Sequence, residues 1–257
     1  MSGYRAQQKL WVPGRPIVTN TLSIAPGGEG EPALLTWDDA HTLFHEFGHA
    51  LHGLMSDVTY PMISGTSVAR DFVELPSQLY EHWLGVPQVL AAHARHYRTC
   101  EAMPAEMIAR LKAAEKFGQG FATVEYTASA LVDLEMHVLA EAEGFDGPAF
   151  HAGVLEKIGM PEAIVMRHAG PHVSHVFAGD GYAAGYYSYM WSEVMDADAF
   201  KAFEETGDPF DAATAARLAE AVYAAGGRQE PEDAWRAFRG GMPGVEAPLE
   251  GRGLAGK

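Results

Sequence analysis

Residues 36–55 read TWDDAHTLFHEFGHALHGLM, and whether they form a helix decides how the rest of the chain is read. Leu43, Phe44, Phe47, Leu51 and Leu54 recur at helical spacing, Thr36 followed by Asp39 makes a capping start, and Gly53 lies near the end. The pattern predicts a helix from about Trp37 to Leu54. Inside this apolar run stand His45, Glu46 and His49. Positions i and i+4 of a helix differ by about 40° in azimuth, so both imidazoles leave one face and can meet one zinc ion, with Glu46 placed to act on the water of such a site. By chance His-Glu-x-x-His arises in roughly one sequence of this composition in twenty, so the pentad alone does not decide the matter. The ordinary alternative, two core histidines beside a carboxylate with no metal, carries a large desolvation cost.

A catalytic zinc takes three protein donors and keeps one position open. Downstream, DFVELPSQLYEHW at 71–83 offers Asp71, Glu74 and Glu81 on a second amphipathic segment whose positions 74, 78 and 81 share a face. Pro76 fits the first turn of a helix or a kink. Spacing leaves Glu74 and Glu81 as nearly equal candidates. His41, one turn before His45, is a conceivable fourth ligand, but four protein ligands would close the site. His52 is expected to pack or to hydrogen-bond behind the ligands.

A third segment, GDGYAAGYYSYMW at 179–191, reads as a glycine-rich turn running into a helix over 182–198. On that helix Tyr182, Tyr186 and Tyr189 form a stripe, whereas Tyr187 points away. Aromatic packing is the usual meaning of such a stripe. A mobile glycine loop beside a hydrolytic site would instead offer phenol donors to a developing oxyanion. Further helices are predicted over 104–116 with Pro104 in the first turn, over 117–142, and over 231–239. Strand-like text is confined to 16–25 and to TYPMIS at 59–64, and the Gly- and Pro-rich tail from 240 has little helix potential. The expectation is a mainly α single unit with a small β element near the N-terminus.

Composition narrows the function classes. The 257 residues are 47% hydrophobic and 20% charged, which fits a globular chain. With 34 acidic against 18 basic residues, nucleic acid and anionic membrane surfaces are disfavoured as partners, and peptides are not. The single Cys100 cannot form an internal disulfide, the N-terminus lacks a secretory profile, and no apolar run approaches the ~20 residues that span a bilayer. A cytoplasmic location is the expectation.

FHEFGHALHG with SGTSVARDFVELPSQLYEHW (64–83), FAGDGYAAGYYSYMWSEVMDADAF (177–200) and the closing GGMPGVEAPLEGRGL resembles the zinc metallopeptidase family of thimet oligopeptidase, oligopeptidase A and bacterial peptidyl-dipeptidase. The resemblance runs from about residue 15 to residue 254. It implies a zincin-like helical catalytic domain with one Zn²⁺ held by His45, His49 and Glu74, and Glu46 as general base. It further implies that His175, Tyr182, Tyr186 and Tyr189 bind substrate and stabilise the tetrahedral intermediate. Tyr187 is left to packing, and His168 and His172 to structural or cleft roles. Release of C-terminal dipeptides is the favoured activity because YAAGYYSYMW is most similar to the peptidyl-dipeptidase branch; internal cleavage of short peptides is the alternative. Family chains are more than twice this length, and the aligned part is their C-terminal catalytic part. A zinc-binding fragment of little activity, self-association, or a partner chain supplying the missing helical half are therefore further expectations.

Overall fold

Thr36 opens the first long helix: its hydroxyl accepts from the Asp39 amide while the Asp39 carboxylate accepts from the Thr36 amide. This complete capping box starts α1, Trp37–Met55, as predicted. The computed structural model describes residues 1–10, 12–169, 172–177 and 179–255, so Ala178 of the 177–200 motif and the last two residues of the tail lie outside it. After α1 come α2 (Leu75–Glu81), α3 (Pro87–His93), α4 (Ala105–Glu115), α5 (Gln119–His137), α6 (Gly147–Lys157), α7 (Ser188–Glu204), α8 (Ala212–Leu218), α9 (Pro231–Arg239) and α10 (Glu246–Gly251). Ahead of them, β1 (Ser2–Arg5) pairs antiparallel with β2 (Ile17–Thr19), Ser2 opposite Thr19. Among the described residues the chain is mainly α with one small sheet.

The apolar stripe of α1 is buried only in part, with Leu51 packed against the core. Leu43, Phe47 and Leu54 are exposed, whereas Gly48, Ala50 and His52 are buried. The reason is α2, which crosses so closely that a β-carbon on Gly48 would lie 2.4 Å from the Pro76 carbonyl oxygen and 2.6 Å from the Ser77 Cα. Only a glycine admits backbone at that distance. Phe44 and Phe47 instead cover the ring of Tyr80, at centroid distances of 5.3 and 5.6 Å.

On its other side α2 enters the core. Leu75 and Leu79 are fully buried among Met195, Ala199 and Phe203 of α7, Val222 and Tyr223 of the π-helical turn after α8, and Trp235 and Phe238 of α9. This apolar burial supplies the main driving force for the fold and holds α2 between α1 and α7. Gln78 adds a hydrogen bond to the Tyr189 carbonyl at 3.1 Å, seating the start of α7 on α2.

Several expectations need correction. TYPMIS is not a strand: Pro61, which lacks an N–H, opens the 3₁₀ turn Pro61–Ile63. Pro104 is the N-cap of α4 rather than a first-turn residue. α5 stops at His137, short of 142. The tail carries α10, held by Arg252, whose guanidinium donates to Glu193 at 2.6 Å and to Thr123 at 2.5 Å. α7 begins at Ser188, later than the tyrosine spacing predicts, because the amides of Ala184 and Tyr186 are taken by Asp133 of α5 at 3.2 and 2.9 Å. Among the described residues, no helix is long and apolar enough to cross a membrane.

Candidate active site

His45 and His49 leave α1 one turn apart, and Glu74 stands at the N-cap of α2 where the Gly48 crossing brings it against them. The Nε2 atoms of His45 and His49 lie 3.3 and 3.1 Å from the same oxygen, Oε2 of Glu74. The three donor atoms fall within 4.8 Å of one another, and the two rings stand at 88°. Ser77 Oγ, 3.0 Å from Glu74 Oε2, steadies the carboxylate. Burial opposes charge on both sides of this contact, but the hydrogen bonds outweigh it. His45 is pushed up to about 9 by Glu74 and Glu81, and Glu74 is held well below the usual carboxylate range by the two imidazoles. The pocket thus draws positive charge to the point where the donors converge. Two imidazoles and one carboxylate are the donor set of an open zinc site, so the residues present fit that ion.

Glu81, the rival of Glu74 on spacing, sits behind the donors. Its Oε1 lies 2.6 Å from Nδ1 of His45 and its Oε2 3.2 Å from Nδ1 of His41. The two carboxylates therefore address opposite nitrogens of one ring. An Nδ1–H donated to Glu81 leaves the Nε2 lone pair of His45 for a metal. His41 is turned to Glu81 and is not among the converging donors; that hydrogen bond raises its pKa against the effect of burial. Asp71 accepts from the Tyr187 hydroxyl at 3.0 Å, so Tyr187 is held by a hydrogen bond. His52 is fully buried with neither ring nitrogen hydrogen-bonded among the described residues, and burial pushes its pKa down to about 3. It packs edge-on against Tyr223 as a neutral ring. Glu46 contacts the Met1 ammonium, and with His45 it borders an open cleft of 1460 Å³ whose walls include Trp37, Glu81, Lys116, Glu193 and Phe200.

The tyrosines converge, though not as a helical stripe. Tyr189 alone is on α7; Tyr187 is its N-cap, and Tyr182 and Tyr186 belong to the preceding turns. His175, in the 3₁₀ turn His175–Phe177, is the hub. Its ring centroid lies 4.8 Å from that of Tyr182 and 5.9 Å from those of Tyr186 and Tyr189, and its Nε2 is 3.0 Å from the Tyr189 hydroxyl. Burial first, and the negative charge of Glu74 second, push the Tyr189 phenol up to about 12, so it keeps its proton at neutral pH and can donate. Behind Tyr186 stand Tyr126, stacked at 5.0 Å, and His168, whose Nδ1 is 3.0 Å from Ser129 Oγ. That contact ties His168 to α5, and His172 is exposed.

Two contributors were not singled out from the sequence. Asp133, buried on α5 and 2.8 Å from His137, fixes the tyrosine loop through its amides; a lone aspartate in the apolar text ALVDLEMH was its only signal. Arg70 places its guanidinium carbon 4.5 Å from the centre of the Tyr182 ring, and nothing in its spacing foretells this.

Comparison with known proteins gives a concordant result. The sequence profile of peptidase family M3 matches residues 9–254. Dipeptidyl carboxypeptidase of Escherichia coli (strain K12) is 40% identical over 242 residues, covering 93% of this chain and 35% of that protein. Oligopeptidase A of the same organism is 37% identical over 250 residues, 94% of this chain and 36% of that one. The organellar oligopeptidase A of Arabidopsis thaliana is 35% identical over 247 residues, 93% of this chain and 31% of that one. The chain spans about a third of the length of these curated relatives.

Proposed function

Because this chain belongs to peptidase family M3, we propose that residues 1–257 form one catalytic unit of a zinc metallopeptidase that cleaves short peptides and releases C-terminal dipeptides. The observation that carries the reading is the convergence of His45, His49 and Glu74 on one point, with Glu46 between the two histidines on the same helix. Zinc bound there would supply Lewis acidity toward the scissile carbonyl and a water of lowered pKa. Glu46 takes a proton from water and returns it to the leaving amine. Tyr189 and Tyr182 donate to the oxyanion, while Tyr186 and His175 hold the peptide backbone. Dipeptide release is supported by the likeness to a dipeptidyl carboxypeptidase; cleavage within short peptides, supported by the likeness to oligopeptidase A, is the alternative.

A second reading, in which this part works only with a partner chain or a second copy, is favoured by apolar side chains left in solvent around α4 and α5. Phe117 is 87% exposed and Val138 77%, with Phe121 and Met107 also uncovered. The test is zinc content and turnover together. Zinc-supplemented protein should hold about one equivalent, and Glu46→Gln should keep the metal while losing chelator-sensitive cleavage of a short fluorogenic peptide. Less than about a tenth of an equivalent removes the metal reading, and turnover retained in Glu46→Gln removes its role as base. Activity rising more than linearly with protein concentration favours the second reading.

A further inference from the structure

Arg70 is an exposed cation beside the tyrosine group in a chain with nearly twice as many acidic as basic residues. Its side chain runs along the glycine loop. A β-carbon on Gly185 would lie 3.4 Å from Arg70 Cγ, and one on Gly181 would lie 3.1 Å from Nη2. The two glycines leave the track in which the arginine lies over Tyr182, whose ring in turn stands 4.8 Å from His175.

Two of the nearby charges already have partners of their own. Arg167 is paired with Glu125 at 3.1 Å, and Asp71 is engaged by Tyr187 at 3.0 Å. Arg70 has no carboxylate partner among the described residues. Stacking uses the face of a guanidinium and leaves its in-plane N–H groups free, and those groups match the two oxygens of a carboxylate.

We propose that Arg70, braced on Tyr182, binds the free C-terminal carboxylate of the peptide substrate and so makes this site an exopeptidase site. The assignment rests on the peptidase reading above and sharpens it. Tyr189 lies near enough to feel the charge of both Glu74 and Arg70, so a carboxylate anchored at Arg70 sits across that phenol from the metal donors. Two residues of extended chain span about 7 Å, the length of the C-terminal dipeptide that such an anchor would hold beyond the scissile bond. A guanidinium held by packing against one ring positions that carboxylate with little loss of side-chain freedom.

The test uses one short peptide in two forms, with a free C-terminal carboxylate and with a C-terminal amide. The unmodified protein should favour the free acid in kcat/KM by roughly 10- to 100-fold, the range expected of a hydrogen bond to a charged group. Arg70→Gln should bring the acid-to-amide ratio close to one, and Arg70→Lys should restore part of it. If Arg70 only props Tyr182, both forms slow together and the ratio survives in Arg70→Gln, which overturns the proposal. Binding of the same two peptides to zinc-supplemented Glu46→Gln protein, followed by NMR titration, reads the preference without turnover. Equal affinity for acid and amide there overturns the proposal even if cleavage is observed. Loss of all chelator-sensitive cleavage with the binding preference intact would fail the peptidase reading and leave the carboxylate site standing.

Discussion

Glu74 and Glu81 share a helical face, and period alone gives no reason to prefer one as a metal donor. What separates them is the ring nitrogen of His45 that each reaches, 3.3 Å at Nε2 and 2.6 Å at Nδ1, and that depends on the imidazole's orientation rather than on spacing. Glu81→Gln keeps an acceptor at Nδ1 but removes its charge. Zinc affinity should fall about 10- to 100-fold in competition with a chelator while the circular dichroism spectrum is unchanged. The Tyr189 hydroxyl tests the other half of the site. Tyr189→Phe should lower kcat about 100- to 1,000-fold if the phenol donates to an oxyanion, and should cost only about 1 kcal/mol of stability. Stability lost with the rate retained would assign the phenol to packing. The histidine pair was legible because the i, i+4 relation is a property of any helix. Arg70 was not, because its meaning lies in the partner it lacks and in two glycines more than a hundred residues away in sequence.

Helices with local stop and start signals were readable from text, and those set by distant partners were not. α1 begins at its Thr36–Asp39 box, and α9 fills 231–239 between Pro231 and a left-handed Gly240 at φ 85°. The start of α7 was misread because YAAGYYSY has a helical period, yet Asp133 claims its backbone amides first. α10 was missed because its anchor, the Arg252–Glu193 pair, is tertiary. The closest contact of α1 was also invisible, since Gly48 reads as a weak helix former rather than as the point where α2 crosses. Gly48→Ala puts a methyl 2.4 Å from a backbone oxygen that cannot rotate away. The helices must part, so unfolding by urea should show a loss of about 1–3 kcal/mol, and zinc affinity should fall with it. Unchanged values for both would mean that the glycine does not set the spacing of the donors.

For the molecule as a whole, stability should follow the His82–Asp196 pair, which ties the end of α2 to α7 at 2.6 Å with His82 stacked on Phe200 at 4.6 Å. Burial pushes Asp196 up to about 6; burial opposes charge on His82, but Asp196 outweighs it and raises that imidazole too. Both groups bind protons more tightly in the folded than in the unfolded chain. The stability they contribute is present at low pH and is lost as pH rises from the ordinary carboxylate value of 3.8 to beyond the ordinary imidazole value of 6.5. The difference in unfolding free energy between the unmodified protein and Asp196→Asn should therefore be larger in favour of the former at about pH 5 than at about pH 8. A difference independent of pH would refute that titration. The close crossing of α1 and α2 has a kinetic consequence as well. All three metal donors lie within residues 45–74, whereas the core that covers α2 waits for chain beyond residue 190. Closing so short a loop costs little entropy, so the donors can meet while the later helices are still unstructured. An ion captured at that stage would cross-link the nascent hairpin and shorten the search left to the rest, and chelator-treated protein would refold more slowly than protein refolding with zinc present.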